Sequence, residues 1–357
     1  RGIAYVVDGD AYFEVRRFAS YGRLSGKNLD ELLAGARVEV DERKRDPLDF
    51  ALWKASKPGE PWWESPWGPG RPGWHIECSA MSMEYLGESF DIHGGGEDLV
   101  FPHHENEVAQ SEACTGKPFA RFWIHNGFVN LGAEKMSKSL GNILTIKELV
   151  KRHDPEALRL WLLGTHYRNP LEFAEDRLRE SARALDRLRG LVAEAERLSI
   201  PGAGGRSGPG SPDALLAAVS DRDLMRQAAT HVETFENAMD EDFNTPAALA
   251  ALFDLSHELY RYRDSVAHEA GRAVAFSNGV RVLVTLGGVL GLFQRPVASS
   301  TPSPFLGAEI ERLVEERENA RSRKDWKRAD ELRGAIRQLG ASVEDTPSGP
   351  RIRWTGH

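Results

Sequence analysis

Between Phe90 and Leu131 the chain runs strand, glycine run, helix, strand, strand. That rhythm restricts it to an α/β fold with a parallel sheet. Phe90-Asp-Ile-His reads as a short buried strand that ends in Gly94-Gly95-Gly96. Pro102–Ala113 reads as a helix with proline near its start. Phe122-Trp-Ile-His and Phe128-Val-Asn-Leu read as the strands that follow. Sheets of this kind bind ligands beyond the C-terminal ends of their strands. The glycine run is therefore the first place to look for chemistry.

On either side the pattern changes. Residues 1–70 read as short strands and loops, with Ala4-Tyr-Val-Val and Ala11-Tyr-Phe-Glu-Val as a hairpin across Asp8-Gly9-Asp10. Asn28–Gly35 reads as a short helix, and Trp74–Tyr85 as another, since Ile76, Met81 and Tyr85 recur at near-helical spacing. From Thr145 onward the chain is helical. Asp154-Pro155-Glu156 is a helix start, with Asp as cap and Pro at the first position. Asp176–Leu198 is amphipathic, and Asn244-Thr245-Pro246 caps a later helix. Residues 201–212 contain ten Gly, Pro or Ser in twelve positions and read as a flexible linker. Residues 295–305 read as a second linker. Residues 307–339 read as a charged helical pair, closed by a strand pair around Val343 and Ile352.

At 357 residues the chain is long enough for two or more domains. It holds two cysteines, Cys78 and Cys114, which excludes a disulfide scaffold and fits a reducing, cytoplasmic setting. No apolar run approaches the roughly 20 residues of a membrane span. The opening Arg-Gly-Ile-Ala-Tyr-Val-Val-Asp has no signal-peptide layout. The net charge of −8 argues against non-specific coating of nucleic acid. The charge is uneven, however: residues 133–200 carry 13 Lys and Arg against 11 Asp and Glu, and residues 307–357 carry 11 against 10. A nucleic acid could meet those two segments while the bulk stays acidic.

Cys78, His103 and Glu107 form a candidate metal set. Thiolate, imidazole and carboxylate are all zinc ligands. His103 and Glu107 lie four apart, so one helical face presents both. Cys78 comes from a different helix. His93 would add a fourth contact or orient a ligand from behind. Three protein ligands suit a catalytic zinc with one open position. Taken singly, a buried cysteine is more often a small hydrophobe. The order of residues is not the His-Glu-x-x-His of a metalloprotease.

Gly94-Gly95-Gly96 lets backbone approach a ligand closely, and Asp98 can accept from both hydroxyls of a ribose. Such a triplet by itself also marks an ordinary tight turn. Downstream lies Lys135-Met-Ser-Lys138-Ser, followed by Leu140-Gly-Asn. Lys135 and Lys138 can neutralise charge that develops on a transferring phosphoryl oxygen, and Ser137 and Ser139 add hydroxyl donors. The competing reading is a solvated surface loop.

Together these blocks resemble the cysteinyl-tRNA synthetases, a class I aminoacyl-tRNA synthetase family. The matching text is Gly70-Arg-Pro-Gly-Trp-His-Ile-Glu-Cys-Ser-Ala-Met, then Phe90 through Glu107, then Lys135–Asn142. It continues through Asp242-Phe-Asn-Thr-Pro and Lys324-Asp-Trp, so it spans essentially the whole chain. The resemblance implies the second half of a Rossmann-like parallel sheet, then an α-helical bundle and a small α+β C-terminal domain. It implies ATP-dependent activation of L-cysteine, with Mg2+, and transfer to the tRNA for cysteine. It also implies one zinc ion that selects the substrate thiol. On the match, Cys78, His103 and Glu107 look like zinc ligands, and Trp74 and His93 like part of the cysteine pocket. Gly94, Gly95, Gly96 and Asp98 look like nucleotide contacts, and Lys138 like the principal lysine on ATP. Arg321, Trp326, Asp330 and Asp345 match positions that read the anticodon. Trp and Arg can stack on exposed bases, and Asp accepts from base amino groups.

The expected layout follows from the same match. Residues 1–72 are an insertion between the sheet halves, and 73–132 are the second half of the catalytic domain. Residues 133–200 hold the lysine loop and stem contacts, and 201–212 are the linker. Residues 213–294 are a tRNA-binding helical bundle, and 306–357 recognise the anticodon. The family also carries a first half-sheet with a His-x-Gly-His signature and a further zinc cysteine. Neither is in this sequence, which opens without Met. The expectation is a chain lacking roughly a hundred N-terminal residues, a monomer, inactive alone. Two rival readings are a ligase that joins cysteine to an amino-sugar, and a truncated, non-catalytic tRNA-binding paralogue.

Overall fold

A computed structural model describes residues 1–28, 42–131, 134, 135, 145–198, 211–264, 270–294, 304–338, 341–346 and 349–354. The helix expected over Asn28–Gly35 falls outside these residues except for Asn28. So do Met136 to Asn142, with Lys138, and nearly all of the two linkers. The chain forms two units, residues 1–183 with 234–250, and residues 184–233 with 251–357.

The first unit opens with the expected hairpin, β1 (Ala4–Val7) and β2 (Asp10–Phe13). Its two turn residues, Asp8 and Gly9, both take positive φ. A two-residue turn needs that conformation to match the twist of its strands. β3 (Phe50–Ala55) and β4 (Gly70–Pro72) extend the sheet in the order β1-β2-β3-β4, all antiparallel. The backbone amide of Gly73 then donates to the Leu52 carbonyl and fixes the start of α1 (Trp74–Leu86) beside that sheet.

Next comes β5 (Phe90–Gly96), which pairs in parallel with β6 (Ala120–Asn126). Between them lie a 3₁₀ turn (Glu97–Leu99), a wide turn (Val100–His104) and α2 (Glu105–Thr115). Two local readings are corrected here. The glycine triplet is the end of the strand, not a turn after it, because Gly94, Gly95 and Gly96 pair with Ile124, His125 and Asn126. The strand is not buried throughout: His93 faces Trp123 and Phe119, while Ile92 on the opposite face is 53% exposed. Phe101 is extended, and helical backbone starts at Pro102 as expected, running through the wide turn into α2. A small core of Phe13, Val15, Tyr21, Leu48 and Phe50 takes Ala109 from α2 and so ties the N-terminal sheet to this helix.

β7 (Val129–Leu131) pairs with β8 (Glu134–Lys135) on one side. On the other side it pairs in parallel with β9 (Leu171–Phe173). α3 (Ile146–Arg152) and α4 (Pro155–Leu163) precede β9. The α4 start is as expected, with Asp154 accepting from the Glu156 amide at 2.8 Å and Pro155 at the first position. The loop after α4 returns against the end of β6. The Gly127 amide donates to the Tyr167 carbonyl at 2.7 Å, and a Cβ on Gly127 would stand 2.5 Å from the Asn169 backbone.

The helices α5 (Glu175–Arg197), α6 (Pro212–Ala217), α7 (Arg222–Asp240), α8 (Thr245–Arg263) and α9 (Ala270–Val289) follow. In the second unit they bury leucines at helical spacing, among them Leu185, Leu188 and Leu191 of α5 and Leu252, Leu255 and Leu259 of α8. The C-terminal part of that unit has its own core. α10 (Pro304–Ser322) and α11 (Trp326–Gln338) pack Ile310, Leu313, Leu332 and Ile336 against Ala341 and Val343 of the hairpin β10 (Ala341–Thr346) and β11 (Gly349–Trp354).

Replacing Gly127 by Ala forces the Asn169 backbone aside. The expected cost is about 1–3 kcal/mol, the usual range for overpacking, read by urea unfolding; an unchanged midpoint would contradict the close approach.

Candidate active site

Cys78 on α1, with His103 in the turn that leads into α2 and Glu107 in the first turn of α2, places one sulfur, one imidazole nitrogen and one carboxylate oxygen within 4.8 Å of one another. His93, His104 and Glu107 form a second such group, so both share one carboxylate. Glu107 is fully buried. His93 Nε2 lies 2.8 Å from its Oε2 and His103 Nε2 lies 2.6 Å from its Oε1. Neither carboxylate oxygen has an aligned hydrogen-bond donor among the described residues. A buried acceptor left in that state is costly unless a cation fills it.

The neighbouring Glu105 shows the contrast. It is equally buried, but its two oxygens accept from the backbone amides of Gly22 and Ser25, each at 2.8 Å. One carboxylate thus anchors the N-terminal segment, and the other is left to face Cys78 and the histidines. Burial, and then the carboxylate of Glu107 beside it, pushes the Cys78 thiol up from its ordinary value. A thiolate there needs a positive partner. This donor set suits zinc.

Two further histidines, His75 and His125, join His103 and His104 here. His75 Nδ1 meets His103 Nδ1 at 2.9 Å, and His104 Nδ1 meets His125 Nε2 at 2.8 Å. Burial, with the neighbouring histidines adding to it, holds His75 down to about 4 and His104 down to about 3. Burial also lowers His103, against the pull of Glu107. Neutral imidazoles are the form that ligates a metal. Gln110 Nε2 donates to the His75 carbonyl and to Ser79 Oγ, and Ser111 donates to the same hydroxyl. These bonds lock α1 to α2 beside Cys78 and Glu107.

Trp74 stands at the first turn of α1, 56% exposed, with its ring centroid 4.3 Å from that of His103. Trp74, Cys78, His93, His103 and Glu107 are therefore together. Gly95 is where His104 approaches, since a Cβ there would meet its ring at 2.9 Å. Asp98 is exposed on the turn just beyond β5, and a Cβ on Gly96 would stand 2.5 Å from its Oδ1. Lys135 lies in β8, paired through its backbone with Asn130, and Lys138 lies outside the described residues.

In the C-terminal part of the second unit, Arg321 pairs with Asp345. Arg317, buried, grips the same carboxylate with both Nη atoms, at 2.9 and 3.0 Å. Arg317 first, then Arg321, holds the Asp345 carboxyl below its ordinary value. Trp326 opens α11 with its ring 60% exposed, and Asp330 is exposed one turn later.

Residues 1–183 match the sequence model described as "tRNA synthetases class I (C) catalytic domain". Residues 234–294 match a DALR domain, and 303–354 match "Cysteinyl-tRNA ligase anticodon binding domain". A cysteine–tRNA ligase of Geobacter metallireducens is 51% identical over 98% of this chain and 72% of its own length. One of Desulforudis audaxviator is 50% identical over 99% of this chain and 72% of its own. The chain belongs to the cysteine–tRNA ligases. A solved structure from Campylobacter jejuni, described as a candidate arginyl-tRNA synthetase, aligns with a TM-score of 0.50 at 13% identity. It covers 84% of this chain and 59% of that one, and it supports the class I fold alone.

Within this ligase, sequence reasoning misses His75, His104, His125 and Arg317. A signal exists for the first three: His75, His93, His103, His104 and His125 are five of the 11 histidines, gathered in one short stretch. Arg317 carries a fainter one, four residues before Arg321 on the same helical face.

Glu105→Ala should destabilise the protein by about 1–3 kcal/mol, because two backbone amides lose their acceptor. Thermal melting checks this, and an unaltered melt would show that the Gly22–Ser25 loop finds another partner.

Proposed function

We propose that this chain supplies the metal, cysteine and tRNA-reading parts of a cysteine–tRNA ligase. L-cysteine is activated with ATP to cysteinyl-adenylate and then passed to the tRNA for cysteine, in the reducing cytoplasm. The observation that carries the reading is the fully buried carboxylate of Glu107 between His93 and His103, with Cys78 beside it. Cys78, His103 and Glu107 hold one zinc ion. Bound there, zinc supplies a soft, positive partner for a thiolate, which a serine hydroxyl matches poorly. Selection by that chemistry gives discrimination without an editing site.

The other roles follow from position. Trp74 and His93 border the cluster and orient the amino acid. Asp98, just past the end of β5, takes the ribose hydroxyls, and Gly94, Gly95 and Gly96 bring the strand end close to the nucleotide. Lys135 and Lys138 meet the phosphates, with Mg2+. Arg321, Trp326, Asp330 and Asp345 read the anticodon, and Arg317 holds Asp345 in place behind them. A ligase that joins cysteine to an amino-sugar needs no such reader, so the match over residues 303–354 speaks against it.

Exchanging this sequence for the matched region of the Geobacter metallireducens ligase tests the activity in context. The chimaera should charge the tRNA for cysteine with cysteine and not with serine. Equal charging with serine would end the thiol-selection argument. The metal is tested separately by atomic emission. The chain should carry about one zinc, and Cys78→Ser or Glu107→Gln should lose it on dialysis. Full retention by both variants would remove these residues from the ligand set.

A further inference from the structure

A second polar cluster lies in the first unit, away from the metal ligands, where the loop after α4 meets the turn between α7 and α8. Asp242 Oδ1 accepts from the Tyr167 hydroxyl at 2.6 Å, and its Oδ2 accepts from Arg168 Nε at 2.5 Å. His166 Nε2 stands 4.0 Å away. Arg168 and then Tyr167 hold the Asp242 carboxyl down to about 2. A second tie, Thr245 Oγ1 to the Leu163 carbonyl at 2.8 Å, joins the same two segments.

This corner closes the C-terminus of α7, where the amides of Phe243 and Asn244 donate to the carbonyls of Met239 and Ala238. Asp242 and Phe243 both take left-handed φ, +54° and +53°. For a bulky residue that conformation is a strained outlier. The Phe243 ring is 47% exposed, so these capping hydrogen bonds rather than burial hold the conformation. Such strain persists where the surroundings fix it, and it clusters at functional sites. Here it delivers a carboxylate to Arg168.

The direction in which Arg168 is held gives it a use. Its loop is fixed to the end of β6 by the Gly127–Tyr167 hydrogen bond, two residues after His125. His125 in turn bonds His104 of the metal cluster. Arg168 therefore stands at the C-terminal end of the parallel strands, where ligands bind, with its side chain 56% exposed. The bond to Asp242 uses Nε, one of five guanidinium donors. An ion pair with no other task is worth little at such exposure.

We propose that Arg168 binds a phosphodiester of the single-stranded 3′ end of the tRNA as it enters the active site, with Asp242 and Tyr167 as positioning residues that aim the guanidinium. This rests on the function proposed above. Planar guanidinium donors suit phosphate, and holding Nε in advance reduces the rotamer freedom lost on binding.

The experiment measures binding of the tRNA for cysteine, intact or without its terminal CCA, over a range of salt. Arg168→Ala should weaken the intact tRNA by about 10-fold, the size of one charge-assisted hydrogen bond. It should lower the slope of log affinity against log salt by about 0.7, one single-strand phosphate. The tRNA lacking CCA should bind the variant and the original alike. Arg168→Lys should keep the slope and most of the affinity, and Asp242→Asn should fall between, while melting shows all three folded. Unchanged affinity and slope in Arg168→Ala would overturn the proposal. So would loss of ATP binding with tRNA binding intact, which would assign the anion to the nucleotide. If the original chain does not prefer the tRNA for cysteine over another tRNA, the ligase reading itself fails. Normal preference with an unmoved Arg168→Ala variant defeats this proposal alone.

Discussion

A buried carboxylate set among a thiol and two imidazoles governs this molecule. Glu107 is fully buried, and the groups nearest it are the imidazoles of His93 and His103. Its position depends on the helical backbone from Pro102 running on into α2, which puts His103 and Glu107 one turn apart. It depends equally on α1 lying against α2, which Gln110 and Ser79 secure, so that Cys78 reaches it. It depends also on β5 ending in glycines, because Gly95 is the gap into which His104 fits. The strand, both helices and the glycine run are arranged around one carboxylate whose burial a bound cation would offset.

Much of this is legible in the residues themselves. A histidine and a glutamate four apart share a helical face whatever the fold, so spacing alone pairs His103 with Glu107. Hairpin and helix starts are equally local: Asp8-Gly9 and Asp154-Pro155 behave as their residue types require. What escapes is set by tertiary contact. His125 joins the cluster only because parallel pairing places it opposite Gly95, which no spacing within β6 announces. The glycine triplet misleads because consecutive glycines suggest a turn. Here the small residues are needed within the strand, where a histidine from the next element crowds it.

The two adjacent acids of the Pro-His-His-Glu-Asn-Glu block show why residue type alone does not assign a role. Glu105 and Glu107 are chemically identical and equally buried. One is satisfied by two amides of the N-terminal segment, and the other is not. The N-terminal sheet is thereby more than an appendage. By occupying Glu105 and packing its aromatic residues on Ala109, it fixes the helix that carries the metal-facing residues. Its sequence carries no motif for that task, since the recognition runs through the backbone of Gly22 and Ser25.

An acidic protein that takes up a nucleic acid must do so with few, well-placed cations rather than a broad positive field. At −8 the chain repels phosphate at a distance. Its arginines at the candidate contact points are each held by an acid: Arg168 by Asp242, and Arg321 by Asp345. Pairing reduces the net attraction of each arginine, and that loss is a cost. In exchange, the guanidinium is fixed in orientation before the ligand arrives, and a fixed fork of donors loses less entropy when it binds. With affinity limited in this way, selectivity depends on geometry: an anion is held only where it meets the remaining donors in their set direction.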